Sequence, residues 1–138
     1  MRPASRPEPV TRVNVEALRH DLDVAVLSAV TAVQTAMPSL AETVQSGAAA
    51  TILITGVVVA LYPSAAAGTL PITKAAQRAL TFALADEDKS AGIHVATVTI
   101  NGTIGTDAGF TPDRIADTFW TVHAQPADQW QTEIVFNG

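Results

Sequence analysis

Lys74 is the side chain with the clearest capacity for chemistry in this sequence. It follows a long uncharged stretch, residues 43–73, and lies in the first turn of a predicted helix. Residues 101–106, Asn-Gly-Thr-Ile-Gly-Thr, form a second candidate because they follow a predicted strand. Ligands of open α/β folds bind at the carboxyl ends of parallel strands, where both segments are expected. Lys74 therefore either contacts a ligand at that edge or simply points into water.

The elements that position these residues are predicted from the apolar pattern. A continuous apolar run at 50–60 is typical of a strand covered on both faces. Further strands are predicted at 93–100 and 133–136, and helices at 13–37, at 71–87 and from Thr111-Pro112 onwards. Pro38 is expected to kink or end the first helix. The pattern predicts an α/β fold, a partial Rossmann-like, doubly wound parallel sheet of about three strands, with a disordered tail at 1–12 and one half-domain at 13–138.

This order of elements resembles the C-terminal half of the short-chain dehydrogenase/reductase family. In that family a strand bearing a Ser leads to a Tyr-x-x-x-Lys helix, and the next strand ends in Pro-Gly-x-x-x-Thr. Here residues 69–74 read Thr-Leu-Pro-Ile-Thr-Lys, which keeps the Lys. The resemblance implies a catalytic and ribose-binding role for Lys74. It also implies NAD or NADP as the cofactor, and a loop that contacts its nicotinamide through Gly102, Ile104 and Thr106.

The sequence departs from the family at the other catalytic positions. The Tyr position is Leu70, the Ser position falls on Val57, and the helical Asn position falls on Ala25. The hydroxyl of Thr55 is close to the Ser position but out of register. The Gly-rich turn that holds the cofactor pyrophosphate is also missing, since the first glycine is Gly47.

Two functions follow from this pattern of matches and departures. The first is an NAD(P)-dependent oxidoreductase of the short-chain type, truncated or catalytically impaired, a pseudoenzyme that is inactive as this chain alone. The second is a non-catalytic oligomerisation or interaction module derived from that fold. A Tyr at residue 70 would have favoured the enzyme, whereas Leu70 leaves both open.

Composition excludes several other classes. The net charge is −5 and the eight Lys and Arg residues form no basic stripe, so nucleic acid is not an expected partner. The three His residues, at 20, 94 and 123, lack metal-ligand spacing, and there is no Cys. A sequence without Cys fits the cytoplasm. The uncharged stretch 43–73 is interpreted as a buried strand rather than a membrane span, because its apolar part is short and rich in Val and Ile.

A partner is expected at the first strand of the sheet. A sheet that begins at 50–60 exposes the edge of that strand, and proteins normally cover such an edge. The expectation is a homo-oligomer or another partner there. The resemblance also implies a dimer through the helices at 15–37 and 71–87, whose faces are rich in Ala.

Overall fold

The computed structural model describes residues 8–105 and 108–138 as a parallel three-stranded sheet with helices on both faces. The strands lie in the order β1, β2, β3. The α/β architecture expected from the sequence is confirmed. The elements are α1 (Val15–Leu22), a π-helical segment (Asp23–Leu27), α2 (Ser28–Gln45), β1 (Ala50–Val57), α3 (Leu70–Asp88), β2 (Ile93–Ile100), α4 (Pro112–His123) and β3 (Glu133–Phe136).

The expected tail at 1–12 lies partly outside the described residues. Val10–Arg12 forms a short 3-10 helix, and the Asn14 side chain then caps α1 by accepting from the backbone N–H of Glu16 at 2.8 Å. This cap satisfies a donor that the first turn of a helix otherwise leaves free.

Pro38, which is expected to kink or end the first helix, does not end it. Helix α2 continues through Pro38 to Gln45. Proline removes one backbone hydrogen bond and leaves the carbonyl of Gln34 without its helical donor. Both residues are exposed, so water satisfies that carbonyl and the helix persists.

Val15–Gln45 is one helical run of 31 residues, and by length and composition it is apolar enough to cross a membrane. A single helix of this kind is weak support for a membrane span, because helices that pack in a core pass the same test. In this molecule only 6% of that apolar window is buried, and contact with the sheet comes from Met37, Leu40 and Val44. The side chains of the predicted apolar stripe are all half-buried: Leu18, Leu22, Val26, Ala29, Val33 and Met37.

Strand β1 is shorter and less buried than expected. It ends at Val57, opposite Ile100, the last residue of β2, and Val58–Ala60 form a 3-10 turn. Only Ala50 is fully buried in it. The expectation of a strand covered on both faces is wrong here, because α2 and α3 cover one face of β1, whereas Leu53 and Thr55 line an open groove on the other face. All eight residues of β2 are buried, as its central place requires.

The core consists of two layers separated by β2. On one face, Ile93 and Val95 pack with Ala50 under α2 and α3. On the other face, Ala96 and Val98 pack with Val122 of α4. Because successive side chains of a strand point to opposite faces, one apolar strand supplies both layers.

A polar cluster tethers α3 to β3 inside the first layer. Arg78 on α3 donates from Nε to Oε1 of Glu133 at 2.9 Å, and Thr99 Oγ1 donates to the same oxygen at 2.7 Å. The Arg78 guanidinium also lies 4.5 Å from the ring centroid of Phe82. Hydrogen bonding from Arg78 holds the pKa of Glu133 below its usual value, with Thr99 adding to the shift and burial opposing it.

Replacing Glu133 with Gln tests this tether through the pH dependence of stability. A carboxyl whose pKa is lowered by folding contributes stability above its unfolded pKa and loses it as pH falls through the folded pKa. We expect Glu133→Gln to reduce the free energy of unfolding by about 1 to 2 kcal/mol at pH 7 and by much less at pH 3. Urea titrations at both pH values measure this, with the exposed Glu42→Gln as control. Equal losses at the two pH values would contradict it.

Candidate functional site

Lys74 lies in the first turn of α3 and reaches the carboxyl end of β1. Its Nζ donates to the backbone carbonyl of Thr55 at 3.0 Å and to Oε1 of Gln77 at 2.8 Å. The side chain is half-buried, and this burial lowers the pKa of Lys74. The ammonium is therefore held by two oxygens of the chain and does not point freely into water.

The Thr55 carbonyl faces the open edge of the sheet. Thr97 N donates to Thr132 O at 2.8 Å, so Thr97 directs its peptide groups towards β3. Successive residues alternate in direction, hence Val98 directs its groups towards β1. Val98 lies opposite Thr55. In a parallel ladder, when one residue of an opposed pair directs its N–H and C=O towards the neighbouring strand, the other directs its own groups away from that pairing. The peptide groups of Thr55 therefore point away from β2. Lys74 is thus a donor to the unpaired edge of β1.

Gln77 links Lys74 to the long N-terminal helix. Its Nε2 donates to the carbonyl of Ala25 at 2.8 Å, within the π-helical segment Asp23–Leu27. Nearby, Thr69 Oγ1 donates to Oδ2 of Asp21 at 2.7 Å. Single turns of π-helix inside α-helices are frequent at functional sites. Hydrogen bonds therefore connect the π-helical segment to the edge of the sheet, through Gln77 and then Lys74.

The groups around Lys74 include no acid or base at the predicted catalytic positions. Leu70 begins α3 and is 43% exposed, but it carries no ionisable group. Val57 ends β1 and is equally inert. The hydroxyl of Thr55 belongs to the opposite face of the sheet, where the side chain lines a groove with Ala116 and Phe119 of α4.

The loop after β2 lies at the same carboxyl edge but is held by its own contacts. Asn101 N donates to Phe136 O at 2.9 Å. A Cβ placed on Gly102 would come within 2.3 Å of the Phe110 ring, so only glycine fits without movement of that ring. Ile104 is 52% exposed. Thr106, the last predicted contact of this loop, lies outside the described residues.

A groove that the sequence did not predict runs beside the edge of β1. It has a volume of about 630 Å³ and is lined by Leu53, Thr55, Ala116, Phe119, Trp120 and His123. His123 Nδ1 and Thr51 Oγ1 are 2.8 Å apart at one end. Trp120, one of these lining residues, is 69% exposed. Trp120 lies four residues after Ala116 and therefore off the buried stripe of Ile115 and Val122. This spacing is the sequence signal that indicates its exposure.

Among residues 8–105 and 108–138, no group of three or more His, Cys, Asp or Glu residues is arranged to hold a metal ion. His94 is buried, stacks on Trp130 with ring centroids 4.9 Å apart, and shares a hydrogen bond between Nε2 and the Gln131 carbonyl. It packs under the sheet, away from Lys74.

Several solved structures superpose on this chain over most of its length. A short-chain dehydrogenase from Rhodopseudomonas palustris superposes with a TM-score of 0.78 at 21% identity, over 98% of this chain and 58% of its own. The chain has the short-chain dehydrogenase fold. An oxidoreductase of the short-chain dehydrogenase/reductase family from Brucella ovis, with a partially ordered NAD, gives a TM-score of 0.79 at 18% identity, over 98% of this chain and 59% of its own.

A metagenomic short-chain oxidoreductase in complex with NADP matches the same fold, with a TM-score of 0.75 at 15% identity, over 94% of this chain and 55% of its own. The chain thus spans less than two thirds of the length of these short-chain dehydrogenase structures. No family model and no curated protein sequence matches it.

Substituting Gly102 tests how the loop after β2 is held. We expect Gly102→Ala to lower the free energy of unfolding by about 1 to 3 kcal/mol, because the new Cβ overlaps the Phe110 ring. Chemical denaturation measures the loss. In a Phe110→Leu background the obstructing ring is gone, and the same substitution should cost less than half as much. An equal cost in both backgrounds would show that Phe110 is not the constraint.

Proposed function

We propose that this chain is a short-chain dehydrogenase-like module of the NAD(P)-dependent oxidoreductase type that is catalytically inactive by itself. The observation that carries the proposal is the environment of Lys74. The ammonium is retained at the carboxyl end of the sheet, but its partners are Thr55 and Gln77, and Leu70 stands where the proton donor of the family would stand. Hydride transfer to a carbonyl also needs a proton donor at the carbonyl oxygen, and the described residues place none at that position beyond Lys74, whose ammonium is already held by Thr55 and Gln77.

The residues present fit a limited contact with a nicotinamide cofactor. A lysine ammonium has three donors, and two of those on Lys74 are used, which leaves one for a ribose hydroxyl. Gly102, Ile104 and Thr106 would border the nicotinamide by resemblance. NAD or NADP, when bound, supplies the hydride chemistry. A cytoplasmic location, where both are abundant, belongs to the same proposal.

Replacing Lys74 separates cofactor contact from catalysis. We expect no oxidation of NADPH or NADH with carbonyl substrates by either the native chain or Lys74→Ala. We expect cofactor binding to weaken about tenfold in Lys74→Ala, since one charge-assisted hydrogen bond is lost. Calorimetric titration measures binding, and Lys89→Ala, at an exposed site beyond α3, is the control. Lys74-dependent turnover would refute the proposed inactivity, whereas unchanged binding would refute the ribose contact.

We propose, as a second function, that β1 assembles with a second copy of this chain. Every second residue of β1, counted from Thr51, directs its peptide groups away from β2 and towards the open edge: Thr51, Leu53, Thr55 and Val57. The strand itself carries no charge and no proline, two of the features that normally protect an edge, and the one ammonium described at this edge, that of Lys74, occupies the carbonyl of Thr55 alone. Two such edges pair without bringing like charges together, although the chain as a whole is acidic.

The oligomeric state tests this assembly. We expect the native chain to be a dimer by light scattering and Leu53→Lys to be a monomer, because the ammonium would be buried in the paired edge and the adjoining groove. Val135→Lys is the matched control, since Val135 lies on β3, the opposite edge strand, and is 42% exposed. A native chain that stays monomeric at all concentrations would refute the assembly, as would dissociation by Val135→Lys alone.

A further inference from the structure

Trp120 on α4 exposes a large apolar side chain beside the open edge of β1. It is 69% exposed and lines the same groove as Leu53 of β1 and Phe119 of α4. Single exposed apolar residues are ordinary on a protein surface, but contiguous apolar surface around a groove marks an interaction site. Tryptophan is also the side chain most enriched among the residues that dominate the binding energy of protein interfaces.

Trp120 is held beside the strand before any partner arrives. Its ring lies 5.2 Å from the ring of His123, and Nδ1 of His123 is 2.8 Å from Oγ1 of Thr51 on β1. These contacts tie the end of α4 to the strand that carries the open edge. An anchor that is already in place loses little conformational entropy on binding.

The groove is uncharged although the chain is acidic. Its lining residues, all within the described part of the chain, include no Asp, Glu, Lys or Arg. The net charge of the whole sequence is −5, so two copies approach each other most favourably through uncharged surface. A second copy of this chain therefore fits the groove in charge.

Pairing of the β1 edges alone would hold two copies only weakly. The strand has eight residues, and two strands paired without apolar cover are marginally stable in water. A stable dimer buries at least about 1,000 Å² in total, so surface beside the strand must contribute. On the α4 side of the sheet, the surface that adjoins this edge is the groove with Trp120.

Symmetry decides how two such grooves meet. Two identical edges form a closed pair about a two-fold axis, and when this axis is perpendicular to the sheet the strands run antiparallel. The same face of both sheets then lies on the same side. Leu53 and Thr55 direct their peptide groups to the edge and line the groove with their side chains, so the two grooves become neighbours across the paired strands.

Given the assembly through β1 proposed above, on which this step rests, we propose that the two grooves join into one trough between the α4 helices of the two copies. Leu53 and Thr55 of both copies form its floor. Trp120 of each copy packs across the two-fold axis against the floor contributed by the other copy, and it is the main anchor of the interface. Neighbouring strands lie about 4.8 Å apart and packed helices roughly 8 to 10 Å apart, so two paired strands bring the helices to packing distance.

Fluorescence of Trp130→Phe, in which Trp120 is the remaining tryptophan, tests burial in the trough. We expect the emission to move to shorter wavelength, and acrylamide quenching to fall about twofold, as the protein concentration passes the dimer dissociation constant. Light scattering on the same samples gives the mass. A dimer whose Trp120 stays as accessible as in the monomer would overturn the trough and leave the edge pairing intact. A chain that stays monomeric would overturn both.

Trp120→Ala tests the anchor in the otherwise native chain, and the fold should tolerate it because the side chain is mostly exposed. We expect the dimer dissociation constant from sedimentation equilibrium to rise at least about tenfold, and Trp120→Phe to raise it less. The control is Val24→Ala, at a 60% exposed position in the π-helical segment. An unchanged constant in Trp120→Ala, or an equal rise in Val24→Ala, would overturn the assignment.

Discussion

Burial of β2 on both faces is the constraint on which the rest of the molecule depends. Every residue of Ile93–Ile100 is buried, so the strand must be covered by helices above and below and by a strand on each side. This requirement sets α2 and α3 on one face and α4 on the other. It also fixes the register of β1, whose carboxyl end carries the contact between Lys74 and Thr55.

The same strand explains why a half-buried charged pair, Arg78 and Glu133, packs against an apolar sheet. Thr97 and Thr99 interrupt the apolar sequence of β2 on the face covered by α3. Thr99 donates to Glu133, and Arg78 completes the pair. A lone carboxylate at this depth would be costly, but three donors distribute its charge. Gly56 accommodates the two threonines, because a Cβ there would lie 2.6 Å from Thr97 Oγ1 and 2.7 Å from Thr99 Oγ1.

Elements whose signals are local could be predicted from the sequence. The bounds of β2 and β3 agree with the apolar pattern, and Thr111 caps α4 as its type and position suggest. Features that depend on distant neighbours could not. Within residues 8–105 and 108–138, no strand pairs with the outer edge of β1 and no element covers the side of α4 that carries Trp120, and neither fact can be read from local spacing. The partners of Lys74 depend on the register of β1 and on Gln77, which no spacing rule identifies.

The π-helical segment Asp23–Leu27 gives the long helix a property that uniform α-helix lacks. A π-turn holds an extra residue in one turn of helix, so the two flanking helices keep their own rotational phase. Helix α2 therefore keeps the phase that packs it on the sheet, while the helix before it has a phase of its own. In evolutionary terms, this is the place where the helix can gain or lose one residue without reorienting the face that packs on β2. The carbonyl of Ala25, which receives Gln77, lies within this adjustable joint.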